Sequence, residues 1–379
     1  MVHHLLRTRP TGSLPAARLL RVKAAVAAVV LAAAVLLLGT PPVHADSPAP
    51  PAMTDGFGLS QVTGITGSGT NFVVTVSTPQ VAGEHRIRIL LPADYAANPT
   101  KRYPVLYFLH GASDDPGNPA LAYPALTASQ SMITVIPDGG RRGWYANWLD
   151  QKTAAGAQNW ENFHINQVIP FIDANLRTVT AKQGRAVAGI SMGGFGALHY
   201  AQRHPDLFSQ VATLSGANEL SRNHAVIRAA VVASLTNIGA PLCGSSSSPS
   251  CALDFGPTVS SDALFGTPYP FFDADWRWNA ADPIAHMAAL KGMGIAVYSG
   301  NGNGNPSDGE FWVESAGRHT KERLDALGFP YHYVNYGNGA GWGPNCNGSH
   351  NSGCWSQDLV DYVPRLEAAF AAAAVGTTG

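Results

Sequence analysis

The sequence has few charged residues and no excess of positive charge. Only 13% of its 379 residues are Asp, Glu, Lys or Arg, with 24 basic against 25 acidic side chains. The first 45 residues hold five of the basic side chains and no acidic ones, which leaves 19 basic against 25 acidic in the remainder. With no basic patch there, the composition gives no support for nucleic-acid binding. The 45% of apolar residues is ample for a buried core.

No apolar run is long enough for an ordinary membrane span. The run at residues 24–38 has 15 residues, whereas a transmembrane helix needs about 20. Basic residues precede this run, and Val43-His44-Ala45 follows it with small residues where a signal peptidase cleaves. We expect a signal peptide over residues 1–45, cleaved near Ala45, and a secreted or cell-envelope protein. An uncleaved N-terminal anchor is the alternative.

Cysteine is scarce, and its four positions form two closely spaced pairs. Cys243 and Cys251 are eight positions apart, as are Cys346 and Cys354. In an exported chain this spacing predicts two local disulfides, Cys243–Cys251 and Cys346–Cys354. His350 lies within the second pair, so a zinc site is the alternative, although zinc sites have tighter cysteine spacing. We expect no metal and no cofactor.

Apolar runs and helical patterns alternate along most of the chain, with no internal repeat. From residue 105 on, the predicted strands are short and continuously apolar, which is typical of a mainly parallel sheet with helices on both faces. The predicted strands are 72–76, 86–91, 105–109, 133–136, 186–188, 211–214, 295–298 and 331–334. The predicted helices are 160–175, 192–203, 222–235, 310–327 and 356–373, the first with a kink or break at Pro170.

The chain divides into a leader and one α/β domain. Residues 46–70 begin with a stretch rich in Pro and Ala, and we expect a loose N-terminal leader there. Residues 71–375 are predicted to form a single α/β domain. Residues 237–283 fit the alternating pattern poorly and are predicted to be an insertion over the sheet edge.

The segment Gly189-Ile190-Ser191-Met192-Gly193 fits the G-x-S-x-G pattern of a nucleophilic serine. A predicted strand precedes Ser191 and a predicted helix follows it, as that motif requires. Such a corner strains the backbone, and flanking glycines relieve the crowding. The N–H of Met192 would then lie at a helix N-terminus, where it can bind an oxyanion. This motif predicts the α/β-hydrolase fold.

A second oxyanion donor is expected after an earlier strand. The run 105–109 ends in His110-Gly111-Ala112, and Gly111 permits a close approach of the backbone. We therefore predict that the Ala112 N–H is the second donor. His110 is expected to shape this loop rather than to act as the base, because the base of this fold comes late in the chain.

The base and the acid are expected after Ser191, in the chain order serine, acid, histidine. His350 is the only histidine after the last predicted strand, and it lies on a loop rich in Gly and Asn. The acid should follow the strand 295–298, where Asp308, Glu310 and Glu314 are candidates. Glu310 and Glu314 are one helical turn apart, so the residues alone leave the choice between them open.

These segments resemble the secreted mycolyltransferases of the antigen 85 group and, more broadly, the esterase D superfamily of α/β-hydrolases. The resemblance extends from about Tyr103 to Leu366 and includes "AVAGISMGGFGALHYAQRHPDLFSQVATLSG", "GWYANW" and "GSHNSGCW". It implies the triad Ser191, Glu314 and His350, because an Arg follows Glu314 by four residues. In other esterase D relatives the acid would be Glu310. The trehalose-contacting residues of the mycolyltransferases are absent, since this chain has His110-Gly111-Ala112-Ser113 in their place.

The residues and the resemblance together predict an exported enzyme that processes acyl esters through an acyl-serine. The resemblance favours acyl transfer to a cell-envelope alcohol, as by a mycolyltransferase or diacylglycerol acyltransferase. The missing sugar contacts favour a secreted carboxylesterase for short acyl, acetyl or feruloyl esters. A non-catalytic binding protein on the same scaffold is the third possibility. We expect a monomer without nucleic-acid partners. Four aromatic residues either line an acyl pocket or pack a long loop: Phe271, Phe272, Trp276 and Trp278.

Overall fold

The protein is described here by a computed structural model that covers residues 49–236 and 255–376. Within these residues the strands are β1 (Ser60–Gln61), β2 (Thr66–Ser68), β3 (Asn71–Ser77), β4 (Glu84–Leu90), β5 (Val105–Leu109), β6 (Ile133–Pro137), β7 (Arg185–Ile190), β8 (Gln210–Leu214), β9 (Gly294–Gly300) and β10 (His332–Gly337). They form one sheet in the order β1-β3-β4-β6-β5-β7-β8-β9-β10, and β2 pairs with β3. The eight predicted strands are confirmed as β3 to β10.

The sheet is parallel in its centre and antiparallel at its N-terminal edge. Every neighbouring pair in the series β6-β5-β7-β8-β9-β10 is parallel. Strand β4 joins β6 in the antiparallel direction, and β3 joins β4 likewise. All residues of β5, β6 and β7 are buried, which explains why these strands read as unbroken apolar runs rather than as alternating patterns.

The described part of the predicted leader belongs to the sheet. Strands β1 and β2 both pair with β3, and the side chains of Met53 and Leu59 are buried in the core. The prediction of a loose leader is therefore wrong for residues 49–70. The short strands β1 and β2 carry no periodic apolar signal of their own, and their pairing depends on a partner strand that follows them in the chain.

Helices cover both faces of the sheet. In the described residues they are α1 (Pro124–Thr127), α2 (Trp160–Asn162), α3 (Ile169–Asn175), α4 (Met192–Arg203), α5 (Ala225–Thr236), α6 (Trp276–Ala280), α7 (Gly309–Leu327) and α8 (Ser352–Gly376). Short 3₁₀ helices lie at Pro119–Leu121, Lys182–Gly184, Arg222–His224, Phe271–Asp273, Pro283–Leu290 and Gly302–Gly304. The five predicted helices are all present, and α4 has the predicted bounds.

The segment around Pro170 changes its helical form without a break. A π-helix, Phe163–Val168, joins α2 to α3, and the Ile169 N–H donates to the carbonyl oxygen of His164. Because proline has no N–H and its ring crowds the preceding turn, the wider π-turn accommodates Pro170 just after it. In place of the predicted kink or break at Pro170, the structure has a π-helix directly before the proline.

The predicted insertion is described only from residue 255 onward. There the carboxylate of Asp275 is buried and accepts hydrogen bonds from Arg222 and Arg228 at 2.9 and 2.6 Å. This pairing attaches the insertion to α5 and the turn before it. The predicted disulfide Cys243–Cys251 and the predicted signal peptide over residues 1–45 both lie outside the described residues.

The sheet separates two hydrophobic cores. Phe195 and Ile172 belong to the core on one face, and Leu214 and Leu366 belong to the core on the other. In the ranges 49–236 and 255–376, no helix combines the length and apolar character that a membrane span requires. The carboxyl ends of β5, β7 and β9 meet at one edge of the sheet, where open α/β sheets bind their ligands.

Candidate active site

Ser191 forms the corner between β7 and α4. Its φ of 53° and ψ of −118° are a combination that few non-glycine residues adopt. A Cβ atom on Gly193 would lie 2.1 Å from the carbonyl oxygen of Leu109, and one on Gly189 would lie 2.2 Å from that of Gly193. Glycine at both positions therefore lets the strand and the helix approach closely enough to hold the serine at this corner.

His350 lies between Ser191 and a buried carboxylate. Its Nε2 is 2.9 Å from Ser191 Oγ, and its Nδ1 is 2.8 Å from Glu310 Oε2. Because an ionised carboxylate only accepts hydrogen bonds, Nδ1 carries the proton and Nε2 is free to accept from the serine hydroxyl. Serine, imidazole and carboxylate in this order are the arrangement that activates a hydroxyl nucleophile.

The carboxylate beside His350 belongs to Glu310, so the prediction of Glu314 is corrected. Glu314 Oε1 instead accepts from Asn335 Nδ2 at 3.0 Å. Asp308 caps α7, and its Oδ1 accepts from the N–H groups of both Glu310 and His350, at 2.9 and 3.1 Å. This shared acceptor holds the histidine loop against the first turn of α7. Glu314 lies four residues, about 6 Å, further along the helix.

Other buried donors fix the Glu310 side chain. Its Oε1 accepts from Ser215 Oγ at 2.9 Å and from the Gly300 N–H at 2.6 Å, and the side chain is fully buried. These bonds compensate for removing the charge from water. The N-terminus of α7 adds a favourable dipole. Sequence reasoning missed Ser215 and Gly300, although they lie one and two residues after the predicted strands 211–214 and 295–298, where functional residues of a parallel sheet are expected.

The two predicted oxyanion donors lie beside Ser191. Met192 begins α4 immediately after the serine, and a Cβ on Gly111, next to Ala112, would lie 3.5 Å from Ser191 Cβ. Within the described ranges, neither the Met192 N–H nor the Ala112 N–H donates to a protein acceptor. Both are therefore available to a negatively charged oxygen at the serine.

His110 supports the oxyanion loop, defined as residues 110–112, and it is buried too deeply to act as the base. Its side chain is fully buried, and its Nε2 accepts from the Gly139 N–H at 2.8 Å. Tyr145 Oη donates to the His110 carbonyl oxygen at 2.9 Å. Although burial lowers the pKa of His110, the nearby Asp138 carboxylate outweighs it and raises that pKa above its usual value.

The loop that carries His350 is closed by the predicted disulfide Cys346–Cys354, with Cα atoms 4.2 Å apart. Because these sulfurs are bonded to each other, they are not thiolate ligands for zinc. The Trp355 ring meets the imidazole of His350 edge to face at 5.0 Å. The disulfide and the indole together restrict the position of the imidazole.

A small apolar cavity of about 70 Å³ lies next to Ser191 and His350. The remaining lining residues come mainly from helices α5 and α7, from the oxyanion loop and from the loop that precedes α2. They are Ala112, Trp144, Ala217, Val226, Ile227, Ala230, Ser234, Gly309, Trp312 and Val313. Apart from Ser191 and His350, the only side chains with polar atoms are Ser234 and the two tryptophans. This composition suits the apolar part of a substrate.

The aromatic group of the insertion does not line this cavity. Trp278 is fully buried, and its Nε1 donates to the Gly266 carbonyl oxygen at 2.8 Å. Phe271 and Phe272 are 76% and 96% exposed, and Trp276 is also exposed. The acyl-pocket interpretation of these residues is therefore wrong. For Trp278 the alternative, packing of a long loop, is confirmed.

The sheet, the strained serine corner and the late histidine define the α/β-hydrolase class of enzymes. The sequence model of the Esterase family matches residues 78–366. The chain therefore belongs to the Esterase family, and its relatives include the antigen 85 mycolyltransferases expected from the sequence.

Curated relatives fit this assignment. An esterase of Mycobacterium tuberculosis is 33% identical over 285 residues, which cover 73% of this chain and 57% of the relative. The chain thus spans less than two thirds of that relative. The diacylglycerol acyltransferase/mycolyltransferase Ag85B of Mycobacterium avium is 27% identical over 290 residues, covering 72% of this chain and 77% of the relative.

Solved structures share the fold. MPT51 of Mycobacterium tuberculosis aligns with a TM-score of 0.56 at 20% identity, covering 78% of this chain and 97% of that one. A ferulic acid esterase aligns with a TM-score of 0.54 at 18% identity, covering 79% of this chain and 99% of that one. At these identities the likeness concerns the fold alone.

Proposed function

We propose that this protein cleaves carboxylic esters through a covalent acyl-serine formed on Ser191. The observation that carries the proposal is the unbroken series of hydrogen bonds from Ser191 Oγ through His350 to Glu310, at 2.9 and 2.8 Å. Deletion of His350 or Glu310 would leave the serine hydroxyl without an oriented base, and deletion of Ser191 would remove the nucleophile.

The reaction has two halves that use the same groups. In the first, Ser191 Oγ attacks the ester carbonyl carbon while His350 Nε2 takes the hydroxyl proton. The N–H groups of Met192 and Ala112 stabilise the oxyanion, each contributing about 3 kcal/mol to lowering the barrier. The C–O bond to the alcohol then breaks, and the alcohol leaves with the proton from His350. Glu310 stabilises the imidazolium between these steps.

In the second half, a new hydroxyl attacks the acyl-serine, and His350 again takes and returns the proton. Water as the acceptor gives hydrolysis, and an alcohol gives acyl transfer. We propose hydrolysis as the main activity, which the 33% identical esterase supports. Acyl transfer to a cell-envelope alcohol is the second candidate, supported by the 27% identity to a diacylglycerol acyltransferase/mycolyltransferase.

We propose that the enzyme is exported and acts outside the cytoplasm. The disulfide Cys346–Cys354 supports this location, because structural disulfides persist in oxidising compartments. The basic and apolar pattern of residues 1–45 is the sequence feature that would direct export. A mass measurement of the protein from the culture medium of an expressing actinobacterium would detect cleavage near Ala45.

The test of the proposed reaction is covalent labelling with a fluorophosphonate, together with turnover of p-nitrophenyl acetate. The wild-type protein is expected to gain one label on Ser191 and to release p-nitrophenol. The Ser191→Ala variant is expected to do neither while keeping its melting temperature. A wild-type protein without label and turnover would favour the non-catalytic binding protein. Added glycerol or trehalose distinguishes the two acceptors, since only acyl transfer yields an acylated alcohol.

A further inference from the structure

The polar atoms of the cavity walls beside Ser191 are already paired. Trp144 Nε1 donates to Ser234 Oγ at 3.1 Å, and Ser234 Oγ donates to the Val231 carbonyl oxygen at 2.6 Å. Trp312 Nε1 donates to the Pro306 carbonyl oxygen at 2.7 Å. A hydroxyl-bearing group inside this cavity would leave its own polar atoms without partners, at a cost of about 1–3 kcal/mol each. The cavity therefore suits an aliphatic group.

The cavity is also small. Its volume of about 70 Å³ is roughly half that of a 150 Å³ cavity that holds benzene, and far below the 300–1,000 Å³ of pockets for drug-sized ligands. By comparison with the cavity that holds benzene, the space suits an aliphatic group smaller than a six-carbon ring.

The wall formed by Trp144 is held in place from several sides. Trp144 and Tyr145 both have left-handed backbone angles, with φ of 51° and 49°, which only a well-determined surrounding structure maintains. The indole packs edge to face on Phe195 at 6.0 Å. Arg142, two residues earlier, donates from Nη1 to the carbonyl oxygens of Ser234 and Leu235, both at 2.9 Å.

Arg142 thus joins the loop that carries Trp144 to the C-terminal end of α5. The helix dipole also favours a cation at that end. The opposite wall is α5 itself, which presents Ile227 and Ala230 to the cavity. These bonds hold the loop that carries Trp144 and helix α5 at a fixed distance from each other.

We infer that this cavity is the acyl site and that Trp144 and Ala230 limit the substrates to esters of short fatty acids, from acetate to about butyrate. The inference rests on the proposed acyl-serine reaction. The acyl group is attached to Ser191 during that reaction, and the cavity is the apolar space that begins at this serine. A long acyl chain would have to extend beyond this space, away from its apolar walls.

Helix α5 offers a matched pair of positions for testing this limit. Ala230 lines the cavity, whereas Ala229 is exposed and lines a surface groove of about 480 Å³ on the other side of the helix. Ala→Val at either position has the same effect on intrinsic helix propensity. Only the substitution at Ala230 places two additional methyl groups in the cavity.

The experiment measures kcat/KM for p-nitrophenyl acetate, butyrate and octanoate, which differ only in the acyl chain. For the wild type, octanoate is expected to be at least 10-fold poorer than butyrate, because one misplaced methylene costs about 10-fold to 200-fold. Ala230→Val is expected to lower the butyrate-to-acetate ratio at least 10-fold, and Ala229→Val to change it less than 2-fold. Trp144→Ala is expected to raise the octanoate-to-butyrate ratio at least 10-fold, while Trp144→Phe keeps the wild-type order.

The outcomes separate this inference from the proposed reaction. A wild-type enzyme that is labelled by fluorophosphonate but cleaves octanoate as well as butyrate would overturn the short-chain limit and leave the reaction intact. Equal butyrate-to-acetate ratios for the Ala230→Val and Ala229→Val variants would also overturn it. If no ester is cleaved and Ser191 is not labelled, the proposed reaction fails and the inference fails with it. If the Trp144→Ala variant does not fold, the comparison of Ala230→Val with Ala229→Val tests the short-chain limit by itself.

Discussion

Replacing Glu310 by glutamine changes one atom of the carboxylate, and the structure determines which way the amide must face. The Gly300 N–H and Ser215 Oγ both donate to Glu310 Oε1. A backbone N–H cannot reverse its role, so this position must remain an oxygen. The amide nitrogen of Glu310→Gln therefore occupies the place of Oε2, 2.8 Å from His350 Nδ1.

Two N–H groups cannot face each other, so Nδ1 must give up its proton and accept from the amide. The imidazole proton then lies on Nε2, which can no longer take the proton from Ser191. A comparable carboxylate-to-amide change in a serine protease lowers kcat about 10⁴-fold. We expect a loss of about 10³-fold to 10⁴-fold here, equivalent to about 4–5.5 kcal/mol of transition-state stabilisation. KM should change little, since Glu310 touches no substrate.

The assay is steady-state hydrolysis of p-nitrophenyl acetate, with melting temperature as the measure of folding. Glu314→Gln is the matched control, because Glu314 lies on the same helix and bonds only Asn335 among the described side chains. We expect that variant to keep kcat within about 3-fold. If Glu310→Gln kept more than a tenth of the wild-type kcat while Glu314→Gln lost 100-fold, Glu314 would be the acid and the reasoning from the geometry would be refuted.

Two further predictions concern pH and the disulfide. Burial raises the pKa of Asp282 to about 6, so the folded protein keeps a proton here that the unfolded chain releases above about pH 4. The contribution of Asp282 to stability therefore falls as pH rises from 4 to 6. Asp282→Asn is therefore expected to raise the melting temperature at pH 8 and not at pH 4, and an equal change at both would contradict this. Closing the loop Cys346–Cys354 is worth about 2–3 kcal/mol by chain entropy. The double Cys→Ser variant is expected to slow fluorophosphonate labelling at least 10-fold, and an unchanged labelling rate would show that the loop holds His350 without it.

Local sequence patterns were sufficient for the parts of the fold that have a strong period or a distinctive motif. Strands such as 105–109 are unbroken apolar runs because both of their faces are covered. Helix α4 starts at a residue fixed by the glycine pattern, and it ends two residues before Pro205, which cannot continue a helix. Ser191 and His350 could be found because chain order and residue type restrict them.

Features that depend on contacts between distant segments could not be predicted in this way. Glu310 and Glu314 have the same residue type on the same helical face, and the choice was made by Asp308, which bonds a loop 42 residues away. The exposed aromatic residues of the insertion looked like pocket residues because composition carries no information on which way a side chain points. Trp144 lies in the segment "GWYANW", which resembles the family but carries no signal of a cavity wall, and its place in that wall depends on Ser234 of α5.

The sequence by itself determined the class of the enzyme, since backbone strain at one serine and continuous burial of parallel strands both leave signals in consecutive residues. The tertiary structure alone decided which carboxylate faces the imidazole and how much space lies behind the serine. Both depend on distances of a few ångströms between segments far apart in the chain, and no local pattern of residues encodes such distances.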